Sequence, residues 1–165
     1  MKILLISGHG AGDVGAIGNG YKEADLTREV VNILAPKLRQ YAEVDIYDQN
    51  RNAYADVCNG KIPVNFSNYN YVFEVHFNAG GGKGTEIYVT REEKATSVEE
   101  KIMNKLSSFF TVRGVKRKNF AVINSVKKRG VSSALLETCF IDNANDVNIY
   151  QNNKEHTIQK WSPNN

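Results

Sequence analysis

The sequence predicts one α/β domain with a central mixed, mostly parallel sheet of about six strands flanked by helices. Short apolar runs rich in β-branched and aromatic residues alternate with segments of helical periodicity, which is typical of mixed layer structures. The length of 165 residues is that of one domain. Because 41% of the residues are hydrophobic and 24% are charged, the chain can bury a core, which excludes disordered and fibrous proteins.

Short apolar runs bounded by polar or glycine-containing segments are predicted to be strands. The predicted strands are Ile3–Ile6, Val44–Tyr47, Tyr71–Phe77, Thr85–Thr90, Phe120–Ile123 and Ala134–Cys139.

Two segments carry apolar residues every three or four positions and are predicted to be helices. The first is Glu23–Tyr41, which Pro36 should kink or end, and the second is Glu93–Phe110. A last short helix is expected to begin near Asp142 or Asn143, since either side chain can cap a first turn. The polarity beyond about residue 150 predicts a folded domain over 1–152 and a tail over 153–165 that begins a linker.

The net charge of +3 is too small for a dedicated nucleic-acid-binding protein. The stretch 113–129 nevertheless contains seven basic residues and no acidic residue. It either forms solvated turns or presents a basic face to an anionic polymer.

The N-terminal aliphatic run Ile3–Ile6 is shorter than the roughly 7–15 apolar residues of an export signal. No run approaches the roughly 18 apolar residues of a membrane span. We therefore expect synthesis in the cytoplasm without a signal peptide. Cys58 and Cys139 are too few for a disulfide framework and are expected to be reduced.

Two glycine-rich loops, 8–20 and 80–84, each follow a predicted strand that ends near a histidine, His9 or His76. Ligands of α/β sheets bind at the carboxyl ends of the strands, which places both imidazoles where a site is expected. Alternatively, the two histidines are unrelated and merely satisfy their own hydrogen bonds. The motif G-x-G-x-x-G over 10–15 is not assigned to dinucleotide binding, because Gly18 and Gly20 delay the helix.

Glu23 lies at the start of the first predicted helix, where a carboxylate commonly complements the helix dipole. Together with His9 and His76 it also completes the ligand set of catalytic zinc sites, two imidazoles and one carboxylate with water in the fourth position. The spacing of the three residues forms no compact motif, so spacing alone leaves both interpretations open.

Glu137 interrupts the apolar run 134–140. A buried carboxylate is costly unless it is paired, bound to a metal or functional. It either forms an ion pair with a basic residue or, near a zinc ion, acts as general base and acid.

Several short segments, in this order, resemble the zinc-dependent N-acetylmuramoyl-L-alanine amidases of bacterial autolysins, sporulation hydrolases and phage endolysins. The similarity runs from the first strand to about residue 145. The matching segments are Gly8-His9-Gly10 with Asp13 and Gly15-Ala16, then Glu23, His76-Phe77-Asn78-Ala79, Gly84 to Val89, and Leu136 to Asn143.

The resemblance implies that His9, Glu23 and His76 bind one zinc ion per chain and that Glu137 is the catalytic glutamate. It implies that the substrate is bacterial peptidoglycan, cleaved at the amide between N-acetylmuramic acid and the L-alanine of the stem peptide. Asn78 shares a strand face with His76 and is a candidate for stabilising the oxyanion.

The sequence departs from the family pattern at two positions. Glu74 replaces a small polar residue, and we expect it to orient a ligand or to form an ion pair rather than to coordinate. Cys139 replaces a glycine and is expected to narrow the cleft or to make the site sensitive to oxidation.

The subtype favoured by the missing signal is a phage endolysin, which reaches the wall of an infected host after membrane permeabilisation. The tail 153–165 would then lead to a wall-binding domain, and the basic stretch 113–129 would hold an anionic wall polymer. Two other functions stay open at this point: a zinc peptidase that cuts within the stem peptide, and a wall-binding module without catalysis.

Overall fold

A six-stranded sheet forms the centre of the computed structural model, which describes residues 1–159. The strands are β1 (Lys2–Ser7), β2 (Ile17–Gly18), β3 (Tyr21–Lys22), β4 (Glu43–Ile46), β5 (Tyr71–Asn78), β6 (Thr85–Val89), β7 (Val112–Arg117) and β8 (Ser132–Phe140). β2 and β3 form a separate small hairpin, and the other strands lie in the order β4-β1-β5-β8-β6-β7.

Helices cover both faces of this sheet. They are α1 (Glu23–Leu38), α2 (Ala53–Cys58), α3 (Ser97–Leu106), α4 (Ala121–Lys127) and α5 (Ala144–Gln159). α1, α3 and α5 share one apolar core with the sheet, and α2 and α4 share a second core on the opposite face.

β1 illustrates why the central strands are apolar along their whole length. Ile3 and Leu5 point into the core beneath α1, while Leu4 and Ile6 point into the core beneath α4. Alternate side chains of a strand face opposite sides of the sheet, so a strand covered on both faces needs apolar residues at every position.

The directions of the strands decide where a site can form. β1, β4, β5 and β8 are parallel, whereas β6 is antiparallel to β8, and β7 follows the direction of β6. The carboxyl ends of β1, β5 and β8 therefore meet at one edge of the sheet, beside the amino ends of β6 and β7. Ligand sites of α/β proteins lie at such edges.

The predicted fold class is confirmed, but one predicted strand is wrong. The segment 120–123 enters α4, whose Val122, Ile123 and Val126 are buried at helical spacing. The sixth strand is instead β7, within the basic stretch. It was missed because an edge strand with one half-exposed face carries charged residues and shows only a weak apolar pattern.

The C-terminal helix is longer than expected. α5 continues to Gln159, so residues 153–159, assigned from sequence to a polar tail, are helical, and Thr157 and Ile158 are fully buried. Residues 160–165, the remainder of the predicted linker, lie outside the described residues. Within residues 1–159, no helix has both the length and the apolarity that a membrane span requires.

Candidate metal centre

The structure brings His9, Glu23 and His76 into one cluster at the carboxyl ends of β1 and β5. The carboxylate of Glu23 lies between the two rings, with Oε2 3.1 Å from His9 Nε2 and Oε1 3.0 Å from His76 Nδ1. One ligand atom from each residue lies within 4.8 Å of the others. Three donors at this separation can converge on a single metal ion.

Two glycines allow the loop after β1 to wrap closely around this cluster. A Cβ atom at Gly8 would lie 2.3 Å from His76 Cε1. At Gly15, where φ is +66°, it would lie 2.7 Å from Glu23 Oε2. His9 itself has a φ of 62°, a conformation that an L residue adopts only when its surroundings hold it there.

Arg28 on α1 supplies part of that restraint. Its guanidinium donates hydrogen bonds to the backbone carbonyls of Gly8 (3.2 Å), His9 (3.1 Å) and Gln49 (2.8 Å). These bonds join the loop that carries His9 to the loop after β4. The sequence analysis did not identify Arg28, because an arginine on an amphipathic helix gives no sign of what it contacts.

In each histidine, the ring nitrogen that does not face Glu23 contacts a second carboxylate. His9 Nδ1 lies 2.8 Å from Asp13 Oδ2, and His76 Nε2 lies 3.0 Å from Glu74 Oε1. Asn52 donates a further bond of 3.2 Å to Asp13, a contact that the sequence analysis did not foresee. Such outer contacts fix the tautomer and the orientation of a metal-binding imidazole. Glu74 thus occupies the orienting position expected of it.

Charge within the cluster favours a bound cation. Burial alone would raise the pKa of Glu23, but hydrogen bonds from His76 and His9 outweigh it and hold that pKa well below its usual range. Burial opposes the charged form of His76, yet its bonds with Glu23 and Glu74 raise its pKa well above the usual value. Without metal the cluster therefore holds protons between its donors, and a divalent ion can replace them. The donor set fits the zinc implied by the sequence.

Glu137 lies on β8, paired in register with His76 on β5. Burial raises its pKa to about 7, a rise that the charge of His76 opposes and that of Glu23 reinforces. Its Oε2 atom is buried without a hydrogen-bond partner, and no ion pair involving Glu137 occurs within residues 1–159. The ion pair considered from sequence is therefore absent from the described part of the chain.

His9, Glu23, His76 and Glu137 line one pocket of about 410 Å³, which Tyr54 and Phe120 border. Asn78 also lines this pocket, but its amide nitrogen donates 2.9 Å to Glu86 Oε1. An amide carries two N–H groups, so one remains for a ligand. The oxyanion role of Asn78 stays a prediction.

The expectation that Cys139 narrows the cleft is wrong. The strand register shifts between residues 137 and 140 of β8, and Cys139 is fully buried in the core beneath α1 and α5, on the opposite face of the sheet. Burial raises the pKa of this thiol well above its usual value, which disfavours the reactive thiolate.

The comparisons with known proteins agree with this geometry. A family model described as N-acetylmuramoyl-L-alanine amidase matches residues 3–160. This chain belongs to that family. The resemblance predicted from the short segments is thereby confirmed.

The relatives share less than a third of their aligned residues with this chain and are longer than it. The probable autolysin PH of Staphylococcus aureus is 28% identical, over 92% of this chain and 35% of its own length. The sporulation-specific N-acetylmuramoyl-L-alanine amidase of Bacillus subtilis is 29% identical, over 90% of this chain and 59% of its own length. The chain thus spans between about a third and three fifths of these relatives.

Among solved structures, the catalytic domain of the CD27L endolysin targeting Clostridia difficile superposes with a TM-score of 0.80 at 25% identity. That alignment covers 98% of this chain and 93% of the endolysin domain. The catalytic domain of CwlV from Bacillus (Paenibacillus) polymyxa, 24% identical over 98% of this chain and 94% of its own, has the same fold at a TM-score of 0.77.

Proposed function

We propose that this chain hydrolyses the amide between N-acetylmuramic acid and the L-alanine of the stem peptide in bacterial peptidoglycan. The observation that carries the proposal is the arrangement of two carboxylates. Glu23 lies between two imidazoles. Glu137 on β8 lines the same pocket, and its buried Oε2 atom has no hydrogen-bond partner within residues 1–159. Family membership supports the identity of the scissile bond.

His9, Glu23 and His76 are proposed to hold one zinc ion per chain. Zinc bound there would supply a Lewis acid and lower the pKa of a bound water toward about 7. Asp13 and Glu74 keep the two rings in place through their outer nitrogens. Because imidazole also suits nickel, copper and cobalt, metal analysis must identify the ion.

Glu137 is proposed to move the proton. A carboxyl group with a pKa of about 7 can take a proton from the attacking water and deliver it to the nitrogen of the leaving amine. The second N–H of Asn78 is the candidate donor to the oxygen of the attacked carbonyl.

The first experiment compares wild type with His76→Ala by metal analysis and by loss of turbidity of Gram-positive cell walls. We expect about one zinc per chain and clearing of the walls in wild type, and loss of both in the variant. His156→Ala is a matched control, because the third histidine lies on α5 and packs against Phe109, away from the cluster.

Analysis of the products decides between the remaining functions. An amidase releases peptides that begin with L-alanine and leaves the glycan strands intact, whereas a peptidase cuts within the stem peptide. A metal-free wild type that binds walls without clearing them would contradict the proposal and favour a wall-binding module.

The cellular role extends the same proposal. A phage endolysin would act on the wall from inside the host after membrane permeabilisation. The basic stretch 113–129 would then contribute to retention on an anionic wall polymer. Hydrolysis of whole walls should in that case fall between low and moderate salt, because salt screens exposed charges.

A further inference from the structure

A second buried glutamate lies in the same row of the sheet as the proposed active site. Glu86 on β6 pairs in register with Glu137 on β8, which in turn pairs with His76 on β5. The Glu86 side chain is almost completely buried, and its Oε1 atom accepts hydrogen bonds of 2.9 Å from Asn78 and from the hydroxyl of Tyr88. Glu86 is therefore fixed in position by the same asparagine that lines the pocket.

Two cations from β7 meet at the other oxygen of this carboxylate. Arg113 Nε donates to Glu86 Oε2 over 2.7 Å, and Lys116 Nζ donates to the same atom. One carboxylate balances only one of these two charges. Within residues 1–159 neither cation has another acidic partner, so the cluster carries one uncompensated positive charge.

The outer side of Arg113 is open. Its side chain is 37% exposed, and its guanidinium carbon lies 5.1 Å from the centroid of the Phe140 ring. Only Nε has a hydrogen-bond partner in the part of the chain that is described, so the two terminal nitrogens remain available. A guanidinium fixed in this way presents paired N–H groups in the geometry that binds a carboxylate through both oxygens.

The rest of the basic stretch is engaged differently. Arg117 donates to the carbonyl of Glu93, Lys127 forms an ion pair with the Glu93 carboxylate, and Arg129 bonds to Ser125. None of these contacts involves His76, Glu137 or Glu86. Arg113 and Lys116 are distinct from these three residues because their partner, Glu86, pairs with Glu137.

The distance from the cluster matches a short length of peptide. Three strand spacings separate β5 from β7, and each spacing is about 4.8 Å, which gives roughly 14 Å. An extended peptide advances about 3.3–3.6 Å per residue. A chain that crosses the strands from the scissile amide therefore reaches Arg113 and Lys116 after about four residues.

We infer that Arg113 and Lys116 form a binding site for a carboxylate of the stem peptide, about four residues from the bond that is cleaved. Glu86 acts as a positioning residue that holds both cations in place. This inference rests on the proposed amidase function, because that function identifies the ligand as a peptide. The site would fix the direction of the peptide across the sheet.

The test uses two synthetic N-acetylmuramoyl tetrapeptides that differ only at the C-terminus, one a free carboxylate and the other a carboxamide. Wild type should hydrolyse the acid with a kcat/KM about tenfold higher than that for the amide, since a hydrogen bond to a charged group is of that strength. The difference should lie in KM. Arg113→Gln should treat both substrates alike, whereas Arg113→Lys should keep part of the preference. Arg91→Gln is the matched control and should behave as wild type, since Arg91 is exposed and lies outside the basic stretch 113–129.

A second measurement makes the result independent of hydrolysis. The free tetrapeptide acid and its amide are titrated into wild type and into Arg113→Gln by calorimetry, after thermal unfolding has shown that the variant is folded. Tighter binding of the acid by wild type alone supports the site.

The failures can be told apart. Efficient hydrolysis of both tetrapeptides without preference would overturn the carboxylate site and leave the amidase. Preferential binding of the acid without any hydrolysis would overturn the amidase and leave the site. If Arg113→Gln impaired only the hydrolysis of whole walls, the two cations would serve a wall polymer instead, and the inference would be wrong.

Discussion

A carboxylate lies between two basic side chains at each end of the site that extends from β5 across β8 and β6 to β7, but the chemistry of the two ends differs. At the β5 end, Glu23 lies between two histidines, and at the β7 end, Glu86 lies between an arginine and a lysine. An imidazole that loses its proton exposes a lone pair and becomes a metal ligand, whereas guanidinium and ammonium groups keep their protons at neutral pH. The first end therefore suits a metal cation and the second an anion.

Glu137 lies between these two ends and forms no ion pair within the described residues 1–159. The bonds from its neighbours lower the pKa of Glu23 and, against the effect of burial, that of Glu86, whereas burial raises the pKa of Glu137 to about 7. Glu23, Glu137 and Glu86 therefore differ in their chemistry although all three are glutamates. The difference lies in the partners that the fold brings to each carboxylate.

The largest effect is expected when the proton carrier of the row is removed. Glu137→Gln keeps the shape of the side chain but cannot accept a proton, so the turnover number should fall by about 10²–10⁴. Metal content and binding to cell walls should stay at the wild-type level. Turnover within a factor of about two of wild type would contradict the role assigned to Glu137.

A smaller effect is expected when the orientation of one imidazole is lost. Glu74→Gln replaces the carboxylate next to His76 Nε2 with an amide, and zinc affinity should weaken about 10–100-fold. Competition with a chelator measures this affinity directly. Glu92→Gln is the control, since Glu92 is exposed and bonds to Asn119 far from the cluster. Equal zinc affinity in Glu74→Gln and wild type would show that the contact does not tune the metal.

The smallest effect concerns the stability of the basic end. Burial alone would raise the pKa of Glu86, but Lys116 and Arg113 hold it below the ordinary value of 4.5. Ionised Glu86 therefore stabilises the fold above that pH, and this contribution disappears as the pH falls through the lowered pKa. Wild type should lose more stability than Glu86→Gln between about pH 6 and about pH 3.

Urea midpoints of the two proteins across that range provide the measurement. The difference between them removes the titration of the histidine cluster, which both proteins share. Parallel curves would show that the two cations do not stabilise the ionised form of Glu86.

The apolar pattern predicted the central elements better than those at the edge. β1, β5 and β8 are covered on both faces, so their runs are apolar throughout and were recognised. β7 at the edge carries arginine and lysine on its half-exposed face and was missed. The segment 120–123 was too short for periodicity to separate a strand from the first turn of α4.

The site was predicted in the same uneven way. His9, Glu23, His76 and Glu137 follow from histidines at strand ends, a carboxylate in an apolar run and the family resemblance. The contacts of Arg28 and the partners of Glu86 do not follow, because they join segments distant in sequence through backbone carbonyls and strand pairing.

Patterns along the chain were enough to predict the fold class, the family and the residue types that can hold a metal and move a proton. Hydrophobic periodicity and short motifs are local properties that can be read along the chain. Packing of distant segments places some carboxylates next to imidazoles and others next to the permanent cations of arginine and lysine. It places Glu137 in an ion pair with neither within residues 1–159. The electrostatic environment of a side chain arises from groups that are distant in sequence. The pKa values of Glu23, Glu86 and Glu137 therefore diverge only when the chain folds.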